Sequence, residues 1–265
     1  MTDICTDNYI SDNIFIRNNK MYYKKQNKEI KIGKNNWHKY LDEYGWEKLH
    51  LRWIKRLNIY LNHYIIKNQE ENNKRKNSLF GVLDCGGSGD CFFACVCYSL
   101  NSEKDILSQY DVKSIRSILA DSIKPECFQP IIENYRILKE MDEFQDEWDP
   151  FEVETLEDFK KELCKEGSNF LADYIILQLF QEHFDVNIII LNSTQRVDNI
   201  NDNMFKLYNT GIRYCKDKKT IILSYEDTEH FRLIGYLKNN MMITLFNNKT
   251  LPEEIRYLIN DDFNC

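Results

Sequence analysis

Residues 86–91 read Gly-Gly-Ser-Gly-Asp-Cys, and the cysteine opens the apolar run CFFACVCYSL. A thiol in that place has a definite chemical use. At the first turn of a helix it meets unpaired backbone N–H groups and the positive end of the dipole, which favour thiolate over thiol. Glycines ahead of it let the backbone turn tightly and aim N–H groups inward, as stabilising an oxyanion requires. Cys91 is therefore a candidate nucleophile, with the backbone N–H groups of Ser88, Gly89 and Asp90 as candidate oxyanion donors. The same residues also suit a small buried cysteine behind an ordinary glycine turn. A phosphate-binding loop is disfavoured, because no lysine and Ser/Thr follow the last glycine.

A thiol nucleophile needs a base, and the chain has 5 histidines. His38, His50 and His63 fall among Trp, Tyr and Lys in the N-terminal region, where they read as surface or packing residues. His183 ends a predicted helix beside Phe184, a place suited to C-terminal capping. His230 differs. It opens the apolar segment HFRLIGYL just after the polar EDTE, so a core strand behind it can hold the imidazole at a sheet edge. Cys91 and His230 are the candidate nucleophile and base.

The elements that must position them follow from periodicity. KMYYKKQNKEIKIG (20–33) alternates as a hairpin does, and residues 35–69 have helical spacing with Trp37, Leu41, Leu51, Ile54 and Leu61 as buried positions. The polar QEENNKRKNS (69–78) reads as a linker, its Lys74-Arg75-Lys76 solvated. Beyond it lie the short apolar segment FGVLD (80–84) and a helix from Cys91. Another helix is expected over 111–123, with Val112, Ile115, Leu119 and Ile123 on one stripe, and a third over 168–183. VNIIILN, TIILSY, HFRLIGYL and MMITLF then read as strands, with KNN turning between the last two. Helices followed by a sheet make an α+β class. The domain expectation is a hairpin and helical extension over 1–78 and a catalytic domain over 79–265.

Composition narrows the function classes. The net charge of −7 lacks the basic excess that nucleic-acid binding uses, and favours a basic or neutral partner. The polar N-terminus MTDICTDNYISDN has no apolar segment of a secretory signal. FLADYIILQLF (170–180) is too short for a membrane span and carries Asp173. The expectation is a soluble, intracellular protein of the cytoplasm. Its 9 cysteines are odd in number and include no C-x-x-C pair, so reduced thiols and no metal are expected. The stretch 141–158 holds nine acids and no Lys or Arg. It reads equally as a solvated surface and as a contact for a basic peptide.

Ser88-Gly89-Asp90-Cys91-Phe92-Phe93, and far downstream TIILSY followed by His230-Phe231, resemble the ovarian tumour (OTU) cysteine proteases, mostly deubiquitinases. Their nucleophile helix opens with an Asp-Gly-Asn-Cys-Leu-Phe type loop, and an apolar strand precedes a histidine and an aromatic residue. The likeness spans roughly 79–246. It implies a papain-like α+β fold of the OTU type, the nucleophile helix packed on a small, mostly antiparallel sheet. It also implies hydrolysis at the ubiquitin C-terminus through a thioester on Cys91, with His230 as base and no cofactor. The implied partners are ubiquitin or polyubiquitin, and ubiquitin-like modifiers. Similar loops occur in viral and intracellular bacterial proteins that act in host cytoplasm. Two positions depart from the pattern. Ser88 stands where the family usually has aspartate, and Arg232 stands where many members carry the Asp or Asn that orients the histidine. The third member of a triad is left open among Asp42, Asp84, Asp227 and Thr228, or to a Cys–His dyad. Two other functions share these residues: a catalytically dead OTU-like ubiquitin-binding module, and a papain-like protease with a non-ubiquitin substrate.

Overall fold

The structure, a computed structural model, describes residues 8–9, 14–17, 20–25, 28–31, 46–50, 52–57, 79–87, 89–103, 109–192, 206–208, 211–226, 230–238 and 241–263. The chain forms two compact units. One comprises Met1–Leu83, Ile234–Thr244 and Thr250–Cys265, and the other Asp84–Leu233 and Leu245–Lys249.

The first unit begins with an antiparallel meander of β1 (Asn8–Tyr9), β2 (Ile14–Arg17), β3 (Lys20–Lys25) and β4 (Lys28–Lys31). The hairpin expected at 20–33 is β3 with β4, in register Tyr22 to Lys31 and Lys25 to Lys28. The helix expected over 35–69 is not continuous. Trp46–Lys48 form β5, paired antiparallel with β6 (Phe80–Leu83), and the helical turns described nearby are α1 (52–57). Trp46, Leu49, Trp53 and Leu57 keep the three-to-four spacing and are all buried. Pairing with a buried neighbour strand overrides that periodicity for three residues. Ile54 is half-buried, and Trp37, Leu41, Leu51 and Leu61 lie outside the described residues.

Among the described residues, the second unit carries most of the helices. α2 (Cys91–Asn101) is followed by α3 (Val112–Ser122), α4 (Pro125–Glu140), α5 (Leu156–Leu163) and α6 (Tyr174–Phe184). α3 starts where Asp111 and Ser114 form a reciprocal capping box. It buries Ile115 and Leu119 as expected, with Ile123 buried at its end and Val112 at the margin. The helix expected from 168 begins only at Tyr174, because the Asp173 carboxylate accepts the N–H groups of Ile175 and Ile176 and caps it there. Gly167–Asn169 instead form a short 3-10 turn.

The strands of this unit are mixed in direction. β7 (Val186–Asn192) runs parallel to β9 (Lys219–Glu226) and antiparallel to β8 (Lys206–Tyr208). β10 (His230–Lys238) begins here, with Phe231 opposite Tyr225 and Leu233 opposite Leu223, and continues into the first unit, where β11 (Met241–Ile243) pairs with it. The single strand expected over MMITLF is thus interrupted at Thr244. Its end, β12 (Leu245–Phe246), pairs with β9. α7 (Glu253–Phe263) belongs to the first unit. Helices leading into a sheet give the α+β class anticipated from element order.

Beneath α2, the rings of Phe180 and Phe231 meet Phe92 edge to face at 5.5 and 5.7 Å. Phe92 is fully buried, which contributes about 2–3 kcal/mol of transfer free energy and fixes the helix start against β10.

Candidate active site

The glycine loop answers to a backbone requirement. Gly86 and Gly89 have φ of 135° and 87°, conformations that L-residues with a Cβ rarely adopt. At Gly89 a Cβ would lie 2.4 Å from the carbonyl carbon of Gly167, so two loops distant in sequence touch backbone to backbone there. Asp90 precedes the helix without capping it. Its carboxylate turns to the Gly167 N–H at 2.7 Å and to the Arg116 guanidinium at 2.6 Å. The Asp90 N–H reaches the Gly87 carbonyl at 3.4 Å, a long contact.

Cys91, the first residue of α2, is buried at 8% exposure. The Phe231 N–H donates to its sulfur at 3.4 Å, and the Cys95 thiol donates to the Phe231 carbonyl at 3.7 Å. The backbone N–H and carbonyl of one β10 residue, Phe231, thereby meet two sulfurs of the nucleophile helix. The residue before it is His230. Its Nε2 lies 3.1 Å from Asp84 Oδ1, which also accepts the Gly86 N–H at 3.0 Å. Burial raises the Asp84 carboxyl, but the Gly86 N–H, His230 and the nearby Arg232 outweigh it and hold the group below its ordinary value. Asp84 is therefore an anion at neutral pH. Pairing through Nε2 leaves His230 Nδ1 as the ring nitrogen free to exchange a proton with a thiol.

The helix terminus does not make a resting thiolate. Burial pushes the Cys91 thiol above its ordinary value, against the N–H groups of Phe231, Phe92 and Cys91 that pull it down, and the Asp84 carboxylate adds to the rise. The expectation from the dipole is corrected by desolvation, which depends on what packs over the sulfur. A thiol in this state gives up its proton during attack, with the imidazole as general base.

A cavity of about 260 Å³ opens beside the sulfur, lined by Gly89, Cys91, Phe231, Tyr225, Glu143 and Asp146 among others. The acidic stretch is thus not uniformly a solvated surface. Trp148 is buried, and its indole donates to Asp146 at 2.9 Å while the Leu171 N–H donates at 3.2 Å. Burial pushes the Asp146 carboxyl up to about 6 despite those donors. Ser88, Asp42, Asp227 and Thr228 lie outside the described residues. His183 sits in the last turn of α6, its ring 5.0 Å from that of Phe184. The geometry adds two residues that the motif reading did not single out. Arg116 carried only a place beside an apolar stripe, and Asp146 only membership of an acidic run.

Among the described residues, Cys85, Cys91, Cys95, Cys97, Cys127, Cys164 and Cys215 form no disulfide. No group of three or more His, Cys, Asp or Glu among the described residues is arranged to hold a metal ion, and no described helix is long and apolar enough to cross a membrane.

Residues 86–231, more than half of the chain, match the family profile described as OTU-like cysteine protease. The chain belongs to that family. Its α+β fold is the papain-like fold of the OTU proteases, with the nucleophile position at the N-terminus of α2. Solved structures similar to it include an OTU domain in complex with ubiquitin, at 17% identity over 68% of this chain and 80% of that one, with a TM-score of 0.40. An OTU deubiquitinase from Wolbachia pipientis wMel is similar at 14% identity over 68% and 96%, with a TM-score of 0.38. The same Wolbachia enzyme bound to ubiquitin aligns at 17% identity over 64% and 98%, with a TM-score of 0.38. Comparison with curated proteins gave no match.

Proposed function

We propose that this OTU protein is a deubiquitinase that hydrolyses isopeptide bonds at the ubiquitin C-terminus through a thioester on Cys91. The observation that supports it most is the Phe231 N–H donating to the Cys91 sulfur at 3.4 Å, one residue after His230, whose Nε2 lies 3.1 Å from Asp84 Oδ1. Residues 79–265 serve as the catalytic domain, and the enzyme works in cytoplasm, where the thiol stays reduced.

As the Cys91 sulfur attacks the carbonyl carbon of the terminal glycine, His230 Nδ1 takes the thiol proton. N–H groups about Gly89 to Cys91 stabilise the oxyanion. The imidazolium, steadied by Asp84, returns that proton to the departing lysine amine as the C–N bond breaks. Water then attacks the thioester, giving one proton to His230 and its hydroxyl to the acyl carbon. The thiolate leaves and recovers the proton. Ubiquitin and its chains, with ubiquitin-like modifiers of similar tail, are the substrates this reading names.

Arg232 in place of an orienting Asp or Asn, and the raised thiol, favour a second reading as a ubiquitin-binding module without turnover. Intact-mass measurement with ubiquitin carrying a C-terminal electrophile separates the two. One covalent ubiquitin is expected on the wild type, none on Cys91→Ala and little on His230→Ala. Ubiquitin bound without an adduct would favour the module. Neither binding nor adduct on folded protein would turn the search to a non-ubiquitin substrate.

A further inference from the structure

Arg116 is fully buried, and its guanidinium is occupied on every side. Nε and Nη2 donate to Asp90 Oδ1 at 3.0 and 2.6 Å, Nη1 donates to the Leu163 carbonyl at 3.1 Å, and Nη2 also reaches the Phe170 carbonyl at 3.0 Å. Its plane lies over the Phe93 ring, 3.9 Å from the centroid. The other oxygen of Asp90 accepts the Gly167 N–H at 2.7 Å. One side chain of α3 therefore ties the residue before the nucleophile to the end of α5 and to the turn that follows it.

Two features argue that this arrangement serves geometry more than stability. A buried ion pair gains little net free energy, since desolvating both charges offsets most of their attraction. Moreover, an aspartate just before a helix ordinarily caps it by accepting N–H groups of the first turn. Asp90 makes no such bond, because Arg116 and Gly167 hold its carboxylate elsewhere. The first N–H groups of α2 are thus left uncapped by Asp90, at the place where an oxyanion would form. The backbone contact of Gly167 against Gly89 presses on the same loop from outside.

We propose that Arg116 is a positioning residue for the nucleophile loop: by holding the Asp90 carboxylate away from the helix start and against the Gly167 turn, it keeps the N–H groups of Gly89, Cys91 and Phe92 aimed at the oxyanion. The inference rests on the acyl-transfer reading of the site for its chemical consequence. Its geometric part stands apart from that reading, and the experiment reads both.

The probes are a fluorogenic C-terminal amide of ubiquitin, iodoacetamide, and amide hydrogen exchange, applied to wild type and Arg116→Met. Alkylation by iodoacetamide forms no oxyanion, whereas amide hydrolysis does. For Arg116→Met, kcat is expected to fall about 100-fold, the scale of losing one oxyanion donor. KM and the rate of Cys91 alkylation should stay within about threefold. Exchange should quicken in peptides spanning 84–95 and 164–171 but not in 186–192. A purely structural role would slow neither reaction selectively and would loosen all three segments together. Should Arg116→Met fail to fold, the double variant Arg116→Met/Asp90→Asn, which leaves no unpaired charge, carries the same expectations. Unchanged exchange at 84–95, or kcat within threefold of wild type, overturns the proposal. Alkylation slowed as much as hydrolysis also overturns it. If the wild type itself does not turn over the ubiquitin amide, the deubiquitinase reading falls, and the exchange measurement still decides whether Arg116 positions the loop.

Discussion

Replacing Asp84 by asparagine tests the third member of the site with little change of shape. Asp84 Oδ1 is 3.1 Å from His230 Nε2, and the Asp84 side chain is 57% exposed against 23% for His230. Two unit charges at that separation attract by about 5 kcal/mol at an effective dielectric of 20 and about 1.3 kcal/mol in bulk water. The exposure puts this pair near the second value, and measured exposed pairs fall at or below about 1 kcal/mol. Adding the loss of a fixed ring orientation gives roughly 1–2 kcal/mol, a fall in kcat of about 5–30-fold. KM should hold, since Asp84 is not among the residues lining the cavity beside Cys91. The assay is steady-state hydrolysis of a ubiquitin C-terminal amide between pH 5 and 9. Because the Asp84 carboxyl lies below its ordinary value of 3.8, its contribution is fully present above that value. It is lost only as pH falls through the depressed value, so the deficit should be constant over this range. A kcat within twofold of wild type would refute Asp84 as the orienting group and pass the role to Asp42, Asp227 or Thr228. A loss above about a thousandfold would refute the screening argument, since only a desolvated partner matters that much.

Gly89→Ala should lower the melting temperature by several degrees and abolish the ubiquitin adduct, because the new methyl meets the Gly167 backbone at 2.4 Å in a left-handed conformation. Gly87→Ala, with nothing within 4 Å, should melt and react like wild type, and equal behaviour of the two variants would contradict the argument. Asp146→Asn should stabilise the protein at pH 7. A buried carboxyl raised from 3.8 to about 6 opposes folding by up to about 3 kcal/mol when ionised. Losing one of its two accepted hydrogen bonds trims the gain to roughly 1–2 kcal/mol, or about 3–6 °C. The sign follows from the folded state binding the proton more tightly: the penalty grows as pH rises from about 4 to 6 and is absent below. Thermal melts of both proteins from pH 4 to 8 check this, and a difference independent of pH would sink it.

Much of the second unit was readable because its signals are local. Asp111 three residues ahead of Ser114 marks the start of α3, and the apolar run IIIL within VNIIILN marks a strand buried on both faces. Gly89 before Cys91 marks a turn whose φ of 87° suits glycine. Where expectation and structure differ, a specific contact, distant or local, outranks the periodicity. Trp46–Lys48 carry helical spacing yet pair with Phe80–Leu83. The segment from 168 looked helical until Asp173 caught the N–H groups of Ile175 and Ile176, a signal present in the sequence as an aspartate before an apolar run.

What the sequence determined by itself was a helix opening on Cys91 behind glycines, a strand opening on His230, and an α+β order of elements. Each depends on backbone preferences and periodicities that act over a few residues. Only the tertiary structure decided that Asp84 meets His230, that Arg116 holds Asp90, and that Cys91 rests as a thiol. The first two are contacts between residues far apart in the chain. The last is a desolvation energy, which belongs to everything packed around the sulfur and to no residue type alone.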